Sequence, residues 1–392
     1  MATFTGHTGH TGHTGHTGHT GHTGHIGAGA SAGGLDAYSG DGVSPLLVDA
    51  LIQPAFEGWV LDPTGKPSAA KPLGADVRAG WGLARILPDP AVASDAKKRF
   101  FRLDPTPRAE VCYGQLMEDT VVVAEAAAGG VAKLKFRPTD KAFLSLQRPD
   151  YDLFRLHLAK IQDQSIKRIE RSAEILTQLQ PAEAVWSSIS GINANRYRRS
   201  LEAISVALDL AVTVVFRLKQ LFLCPRPFEY SPQIQPIILT PSHDSWPSGH
   251  STEAHLTAGL LATLAASSGD AAWAAGVKQR TAVAAARIAK NREVAGVHFA
   301  ADSSAGRLLG DSLARYVVAI GELPVTPNWK ERELLAPSFY AAAANRDEAL
   351  DTDLDRGFDV SNGTPIWTAA PPVPPHRQYF QWLWDAAKDE WK

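Results

Sequence analysis

Apolar residues recur at helical spacing through the middle of the chain. The strongest run follows the i, i+3, i+4 spacing of one helix face, at Leu201, Ile204, Leu208, Ala211, Val215 and Leu218. An earlier face, starting near residue 150, is marked by Phe154, Leu158, Ile161, Ile169 and Leu176. After a proline-rich loop that ends at Pro247, similar patterns predict helices at about 249–267, 270–291 and 298–319. The pattern therefore predicts a mainly α protein with a helical core over residues 150–320.

The segments on either side of this core have different patterns. Residues 45–149 carry many prolines and predict an irregular N-terminal cap, in which "TVVVAEA" and "VAKLKF" flank Gly129-Gly130 and indicate a β-hairpin. Residues 321–392 are rich in proline and tryptophan. Because exposed tryptophans favour unwanted association, we expect this tail to wrap back over the bundle or to meet another subunit in a homo-oligomer.

The first 44 residues form a low-complexity segment. Residues 5–25 are seven copies of Thr-Gly-His, and residues 26–44 are a linker rich in Gly, Ala and Ser. The repeat has two interpretations: a disordered tail or added tag, or a histidine tract that binds zinc, nickel or copper.

Composition excludes several classes of protein. The 392 residues include 39 basic and 41 acidic side chains, which gives no support for a nucleic-acid binder. Cys112 and Cys224 are too few for a disulfide framework. The apolar run 204–216 is too short to span a membrane, and the N-terminus lacks the pattern of a signal peptide. We therefore expect a soluble, cytoplasmic protein.

Three short segments carry candidate chemistry. "KQLFLCPRP" places Lys219 seven residues before Arg226, "PSGH" occupies 247–250, and "REVAGVHFAAD" contains Arg292, His298 and Asp302. Each segment alone is a weak signal, since a serine before a helix is often only a cap and a His–Asp pair is often a surface pair.

Taken together, the three segments have the composition of an oxyanion site. Ser248 and Gly249 at a helix start offer a hydroxyl and backbone N–H groups to an anion. Two arginines and a lysine add positive charge. Asp302 lies one helical turn from His298 and can hold its far ring nitrogen, while His250 stands beside the anion as acid or base.

This ordered pattern resembles the superfamily of type 2 phosphatidic acid phosphatases, bacterial acid phosphatases and vanadium-dependent haloperoxidases. The family pattern is Lys-x6-Arg-Pro, then Pro-Ser-Gly-His, then Ser-Arg-x5-His-x3-Asp, and this chain departs from it at Asn291, which stands in place of the serine. The stretch "DSSAGRLLG" (302–310) is also typical of the family. The resemblance covers about 150–320 and implies a helical bundle of the acid phosphatase/haloperoxidase type.

The resemblance also implies a role for each position. His298 is expected to be the nucleophile that carries a phosphoryl group, or the axial ligand of vanadate. His250 is expected to act as acid or base, and Asp302 to orient His298. The residues expected to hold the equatorial oxygens of vanadate, or of phosphate in a phosphatase, are Lys219, Arg226, Arg292, Ser248 and Gly249.

The choice between the two activities depends on nearby residues. His243 lies seven residues before His250, where the resemblance to algal bromoperoxidases implies a second histidine. Trp246 and Phe216 are candidates for the apolar wall of a halide site. These features favour a vanadate-dependent haloperoxidase that oxidises bromide with hydrogen peroxide, whereas the short intervals between the motifs are typical of the phosphatases.

Two alternatives stay open. One is an acid phosphatase that hydrolyses phosphomonoesters through a phosphohistidine. The other is a metal-binding or self-assembling structural protein with a vestigial site. A vestigial site is expected to have lost a charged group, and here every charged group of the pattern is present.

Overall fold

The computed structural model describes residues 96–125, 130–137, 140–179, 182–322, 332–334 and 378–392, so the Thr-Gly-His repeat lies outside the described residues. As predicted, this part of the chain is mainly helical. In chain order its helices are α1 (Ala96–Arg102), α2 (Pro105–Asp119), α3 (Tyr151–Gln164), α4 (Arg168–Thr177), α5 (Glu183–Ser190), α6 (Arg198–Phe222), α7 (Pro227–Tyr230), α8 (Gly249–Ala266), α9 (Ala271–Val294), α10 (Ala300–Gly321) and α11 (Tyr379–Asp389). The strands are β1 (Thr120–Glu125), β2 (Val131–Phe136), β3 (Lys141–Gln147) and β4 (Arg332–Leu334).

Helix α6 confirms the strongest periodic pattern of the sequence. All six of its predicted apolar positions are buried in the core. The helix ends at Phe222, and its cap Leu223 adopts a left-handed conformation (φ 49°) and donates its N–H to the Lys219 carbonyl.

The pattern read across α3 and α4 is only partly right. Phe154 and Ile161 of α3 are buried, but Ile169 is 90% exposed and Leu176 is 54% exposed. The reason is a 3₁₀ turn between the two helices, which changes the number of residues per turn and so rotates the face that meets the core. Helix α4 buries Ile175 instead.

Helix α8 is central and packs against α6, α9 and α10. Two glycines of α10 allow the closest contact. A Cβ on Gly306 would lie 2.6 Å from the Ser248 carbonyl oxygen, and one on Gly310 would overlap the Thr252 carbonyl. Since the backbones meet so closely, the Ser248 N–H can donate to the Asp302 carbonyl at 3.0 Å. The starts of α8 and α10 are therefore held side by side.

A small sheet, in the order β1-β2-β3-β4, lies beside α10. The predicted hairpin is confirmed: β1 and β2 are antiparallel. Two further pairings were not predicted, an antiparallel one between β2 and β3 and a parallel one between β3 and β4. The ring of Phe143 stacks on that of Tyr316 at 5.3 Å and so joins the sheet to α10.

The last helix, α11, packs on α6 and α10. Trp384 is buried against Gly321, and the Glu390 carboxylate accepts from the N–H groups of Arg199 and Ser200 at 2.7 and 2.8 Å. Trp329 and Trp367 lie outside the described residues. Within those ranges, none of the helices has the length and apolar character that a bilayer span requires.

Candidate oxyanion site

The three sequence motifs meet at one place, where the ends of several helices converge. The contributing side chains are all buried: Lys219, Arg226, Ser248, His250, Arg292, His298 and Asp302. Lys219 and Arg292 lie in the last turns of α6 and α9, Ser248 caps α8, and Asp302 lies in the first turn of α10. Gly296 (φ 84°) turns the chain after α9, so that His298 follows Arg292 into the same site.

The start of α8 supplies backbone donors. The Ser248 hydroxyl oxygen accepts from the Ser251 N–H at 3.4 Å, which makes Ser248 the N-cap of the helix. The amides of Gly249 and His250 stand in the first turn, where a helix has no internal acceptor for them. This end of the helix also carries the positive pole of its dipole, so it favours an anion.

Arg292 offers the clearest donors for an anion. Its Nη2 donates to the Gln178 side-chain oxygen at 2.8 Å and to the Ile175 carbonyl at 3.1 Å. Among the described residues, its Nε and Nη1 find no hydrogen-bond partner although the side chain is fully buried. Unsatisfied buried donors are costly and rare, and those of a guanidinium match the oxygens of a tetrahedral or trigonal anion.

The other two cations are held by the loop that precedes α8. Lys219 Nζ donates to the carbonyls of Asp244 and Ser245 at 2.6 and 2.7 Å. Arg226 donates from Nε to the His243 carbonyl at 2.8 Å and from Nη1 to the Val297 carbonyl at 2.9 Å. An ammonium has three protons, so Lys219 keeps one donor for a ligand.

Asp302 fixes the orientation of His298. Its Oδ2 accepts from His298 Nδ1 at 2.9 Å and from the Phe299 N–H at 2.9 Å, and the Ser245 hydroxyl donates to the same oxygen. With its proton on Nδ1, the ring presents the lone pair of Nε2 as nucleophile or ligand. Ser245 was missed by the sequence analysis, because a single serine before the PSGH motif has no signature of its own.

Burial and like charge together set the protonation of the site. Burial lowers the pKa of His298 well below its usual value, and the charges of Arg226 and Lys219 lower it further. The pKa of His250 is lowered by burial and by Arg292. Burial also lowers the pKa of Lys219, with Arg226 adding to the effect. Neutral histidines among crowded cations leave a site that a bound anion would stabilise.

His250 is anchored by a residue that the sequence analysis also missed. Its Nε2 lies 3.2 Å from the carbonyl oxygen of Gln178, just after α4. Since a carbonyl only accepts, Nε2 carries the proton and Nδ1 is left as an acceptor. No motif marks Gln178, because it approaches the site only through the packing of α4 on α9.

The three candidates for the apolar wall of a halide site have different neighbours in the structure. The His243 ring packs edge-to-face on Phe216 with centroids 5.0 Å apart, and its Nδ1 lies 3.1 Å from Arg226 Nη2. Trp246 is fully buried and packs edge-to-face on Phe222 at 4.6 Å. The structure therefore brings Phe216 and His243 next to Arg226, and it places Trp246 in the core.

Comparison with known proteins supports the family resemblance. The model of the PAP2 superfamily matches residues 202–323, a range that contains all three motifs. No curated protein matches the chain. Helix α4 and Gln178 lie outside the matched range.

Proposed function

From the premise that residues 202–323 belong to the PAP2 superfamily, we propose that the protein is a vanadate-dependent haloperoxidase that oxidises bromide with hydrogen peroxide. The coarser statement, an enzyme of the phosphatase/haloperoxidase type with an oxyanion site, rests on the family itself. The observation that supports the finer proposal is His243, which lies against Phe216 and 3.1 Å from Arg226.

The donors of the site fit vanadate. Arg292 has two buried nitrogen donors without a partner among the described residues, and Lys219 keeps one proton to donate. Lys219, Arg226, Ser248, Gly249 and Arg292 would hold the oxygens of vanadate, and His298 Nε2 would be its nitrogen ligand. When bound, vanadate supplies Lewis-acid activation of hydrogen peroxide without a change in its own oxidation state.

The chain's own residues then have defined tasks. Asp302 holds His298 in the Nδ1–H tautomer, so that Nε2 points its lone pair at the anion. Lys219 and the two arginines stabilise negative charge that develops on oxygen, and burial strengthens this effect by excluding water. His250, with Nε2 bound to the Gln178 carbonyl, accepts a proton at Nδ1.

Bromide would approach beside His243 and Phe216. Aromatic edges carry partial positive charge, and the nearby Arg226 adds a full one. The desolvation free energy for binding at such a half-buried site is small for a weakly hydrated halide and larger for a strongly hydrated anion.

The test compares two reactions before and after loading with orthovanadate in phosphate-free buffer. We expect vanadate to activate bromide oxidation by hydrogen peroxide, and we expect added phosphate to inhibit by competing for the same cations. The matched control is His298→Ala, which removes the nitrogen that would bond the anion and should abolish the activity. Inhibition of a robust phosphomonoesterase by vanadate, without halide oxidation, would overturn the proposal.

A phosphomonoesterase is the second candidate, and the protonation of the site favours it. A neutral His298 with a free lone pair on Nε2 can attack phosphorus. Burial and the charge of Arg292 lower the pKa of His250, and a dianionic ester would offset that charge. A protonated His250 would then give its proton to the leaving alkoxide oxygen as the P–O bond breaks. The same vanadate experiment separates the two candidates, because vanadate inhibits in one and activates in the other.

A further inference from the structure

A chain of polar side chains runs from the protein surface to Arg292. At the surface, both oxygens of Glu174 accept from Arg287 at 2.8 Å. Asn291 Nδ2 donates to Glu174 Oε2 at 2.9 Å and to Gln178 Oε1 at 3.1 Å. The same Gln178 oxygen accepts from Arg292 Nη2 at 2.8 Å. Three links therefore connect a part-buried ion pair with an arginine of the oxyanion site.

The direction of each link is fixed by chemistry. The pKa of Glu174 is lowered to about 2, mainly by the hydrogen bonds from Arg287, so Glu174 is an ionised carboxylate that can only accept. Asn291 must therefore turn its NH₂ group toward Glu174, and the second proton of that group is directed at Gln178. Gln178 in turn must present its oxygen, which leaves that oxygen facing Arg292.

Gln178 contacts both halves of the site. Its side-chain oxygen binds Arg292, and its backbone carbonyl binds His250 Nε2 at 3.2 Å. The residue is 7% exposed, so water competes little for either contact. Helix α4 is held there by Arg168, which donates to the carbonyls of Ile234 and Val294 at 2.9 and 2.8 Å.

We propose that Gln178 is a positioning residue of the oxyanion site, which orients Arg292 through an amide that Asn291 holds in place. The proposal rests on the oxyanion function of the pocket. An amide acceptor binds only Nη2 and carries no charge, so Nε and Nη1 stay available and the guanidinium keeps its full positive charge for the ligand. A carboxylate at this position would neutralise that charge.

The same argument explains why position 291 holds an asparagine. The family pattern has serine at this position, and a serine hydroxyl has one proton to donate, whereas the Asn291 amide has two. Only the amide can reach Glu174 and Gln178 at once. Asn291, which departs from the family pattern, and Gln178, which lies outside the range matched by the family model, therefore act together in orienting Arg292.

The first test measures anion binding without turnover. Isothermal titration calorimetry of the full chain with inorganic orthovanadate, and separately with inorganic phosphate, is expected to show about tenfold weaker binding of both anions to Gln178→Glu, the usual scale for loss of a supporting partner. The matched control is Gln162→Glu, which adds the same charge at an exposed position of α3. Wild-type affinity in Gln178→Glu would overturn the proposal.

The second test separates positioning from general loss of structure. Asn291→Ser should weaken both anions, but it should have no further effect in a Gln178→Met background if Asn291 acts through Gln178. Additive losses in the double variant would contradict that mechanism. Asn291→Ser alone keeps the proposal testable if the variants at Gln178 fail to fold, and melting curves by circular dichroism identify such a failure.

The outcome is independent of which reaction the enzyme performs. Weaker binding of both anions in Gln178→Glu, in a protein that oxidises no bromide, would overturn only the proposed function. A protein that oxidises bromide with unchanged anion affinity in both variants would overturn only the role of Gln178.

Discussion

At the scale of single residues, the proposal of bromide oxidation rests on His243. Its ring is half-buried between the aromatic ring of Phe216 and the guanidinium of Arg226. The contact with Phe216 needs only an aromatic ring, whereas the contact with Arg226 needs a nitrogen. A substitution that keeps the ring and removes the nitrogen therefore isolates the second contact.

His243→Phe is expected to lower bromide oxidation several-fold and to change orthovanadate affinity less. The removed hydrogen bond to a charged group corresponds to roughly 1.5–3 kcal/mol at most. Steady-state rates with bromide, set beside orthovanadate titrations of the same variant, check this. Equal losses in both measurements would show that His243 supports Arg226 alone and does not serve a halide.

Asp302 combines a structural and a chemical task at one carboxylate oxygen. Burial raises its pKa from 3.8 to about 6, although hydrogen bonds from Ser245 and Phe299 lower it. A raised pKa means that the folded protein holds this proton more tightly than the unfolded chain does. Its contribution to stability therefore decreases as the pH rises from about 4 to about 6, while its ability to hold the His298 N–H increases over the same range.

Asp302→Asn should weaken orthovanadate binding by about ten- to a hundredfold, the usual cost of losing a residue that orients a ligand. In the wild type, affinity should also fall as the pH drops through about 6. The variant should lack that pH dependence because it has no carboxyl to protonate. Affinities measured from pH 5 to 8 test both statements. Unchanged affinity in the variant would show that Asp302 only accepts the Phe299 N–H at the start of α10.

At the scale of elements, the site depends on how closely α8 and α10 approach each other. Gly306 and Gly310 face the backbone of α8, and Gly259 of α8 faces Ala314 of α10. Backbones at this distance bring Ser248 within hydrogen-bond reach of Asp302. The same packing thus places the start of α8 next to His298, which would bond the anion.

Gly310→Ala is expected to destabilise the protein by about 1–3 kcal/mol, the usual range for overpacking. The added Cβ would overlap the Thr252 carbonyl, which is backbone and cannot move alone. The matched control is Gly276→Ala on α9, where a Cβ meets only the tip of Arg280, at 3.5 Å. There the better helix propensity of alanine should stabilise by up to about 1 kcal/mol. Thermal melting of the two variants should give shifts of opposite sign, and a neutral Gly310→Ala would contradict the close packing.

At the scale of the whole molecule, charge is distributed unevenly. The chain as a whole has a formal net charge of −2, yet Lys219, Arg226 and Arg292 are buried together. Segments distant in sequence support that cluster, from α4 on one side to the loop before α8 on the other. The near-zero net charge of the chain therefore gives no indication of this local cluster of positive charge.

Deletion of residues 1–25 should leave melting temperature and turnover unchanged. The Thr-Gly-His repeat has no apolar side chain with which to join a core, so the tract is expected to contribute little to folding. Differential scanning calorimetry, activity and light scattering of the truncated and full chains check this. A change in oligomeric state would favour the assembly function that the sequence leaves open.

The sequence by itself determined the elements whose signals are local. Helix α6 and the starts of α8, α9 and α10 follow from apolar spacing and helix caps, and the hairpin follows from two β-rich runs around a Gly-Gly pair. The three motifs predicted one site because each carries side chains with a matching chemical task. These inferences succeeded because the spacing of apolar residues along an element, and the caps at its ends, involve residues close together in the chain.

Only the tertiary structure decided which residues support the motifs and which apolar residues reach the core. Ile169 and Leu176 are exposed because a 3₁₀ turn rotates α4, and Trp246 is buried against Phe222, whereas His243 packs on Phe216. Ser245 and Gln178 reach Asp302 and Arg292 across 57 and 114 positions of sequence. Such contacts depend on how helices pack against each other. Packing is a property of surfaces assembled from many distant residues, so no local pattern encodes it.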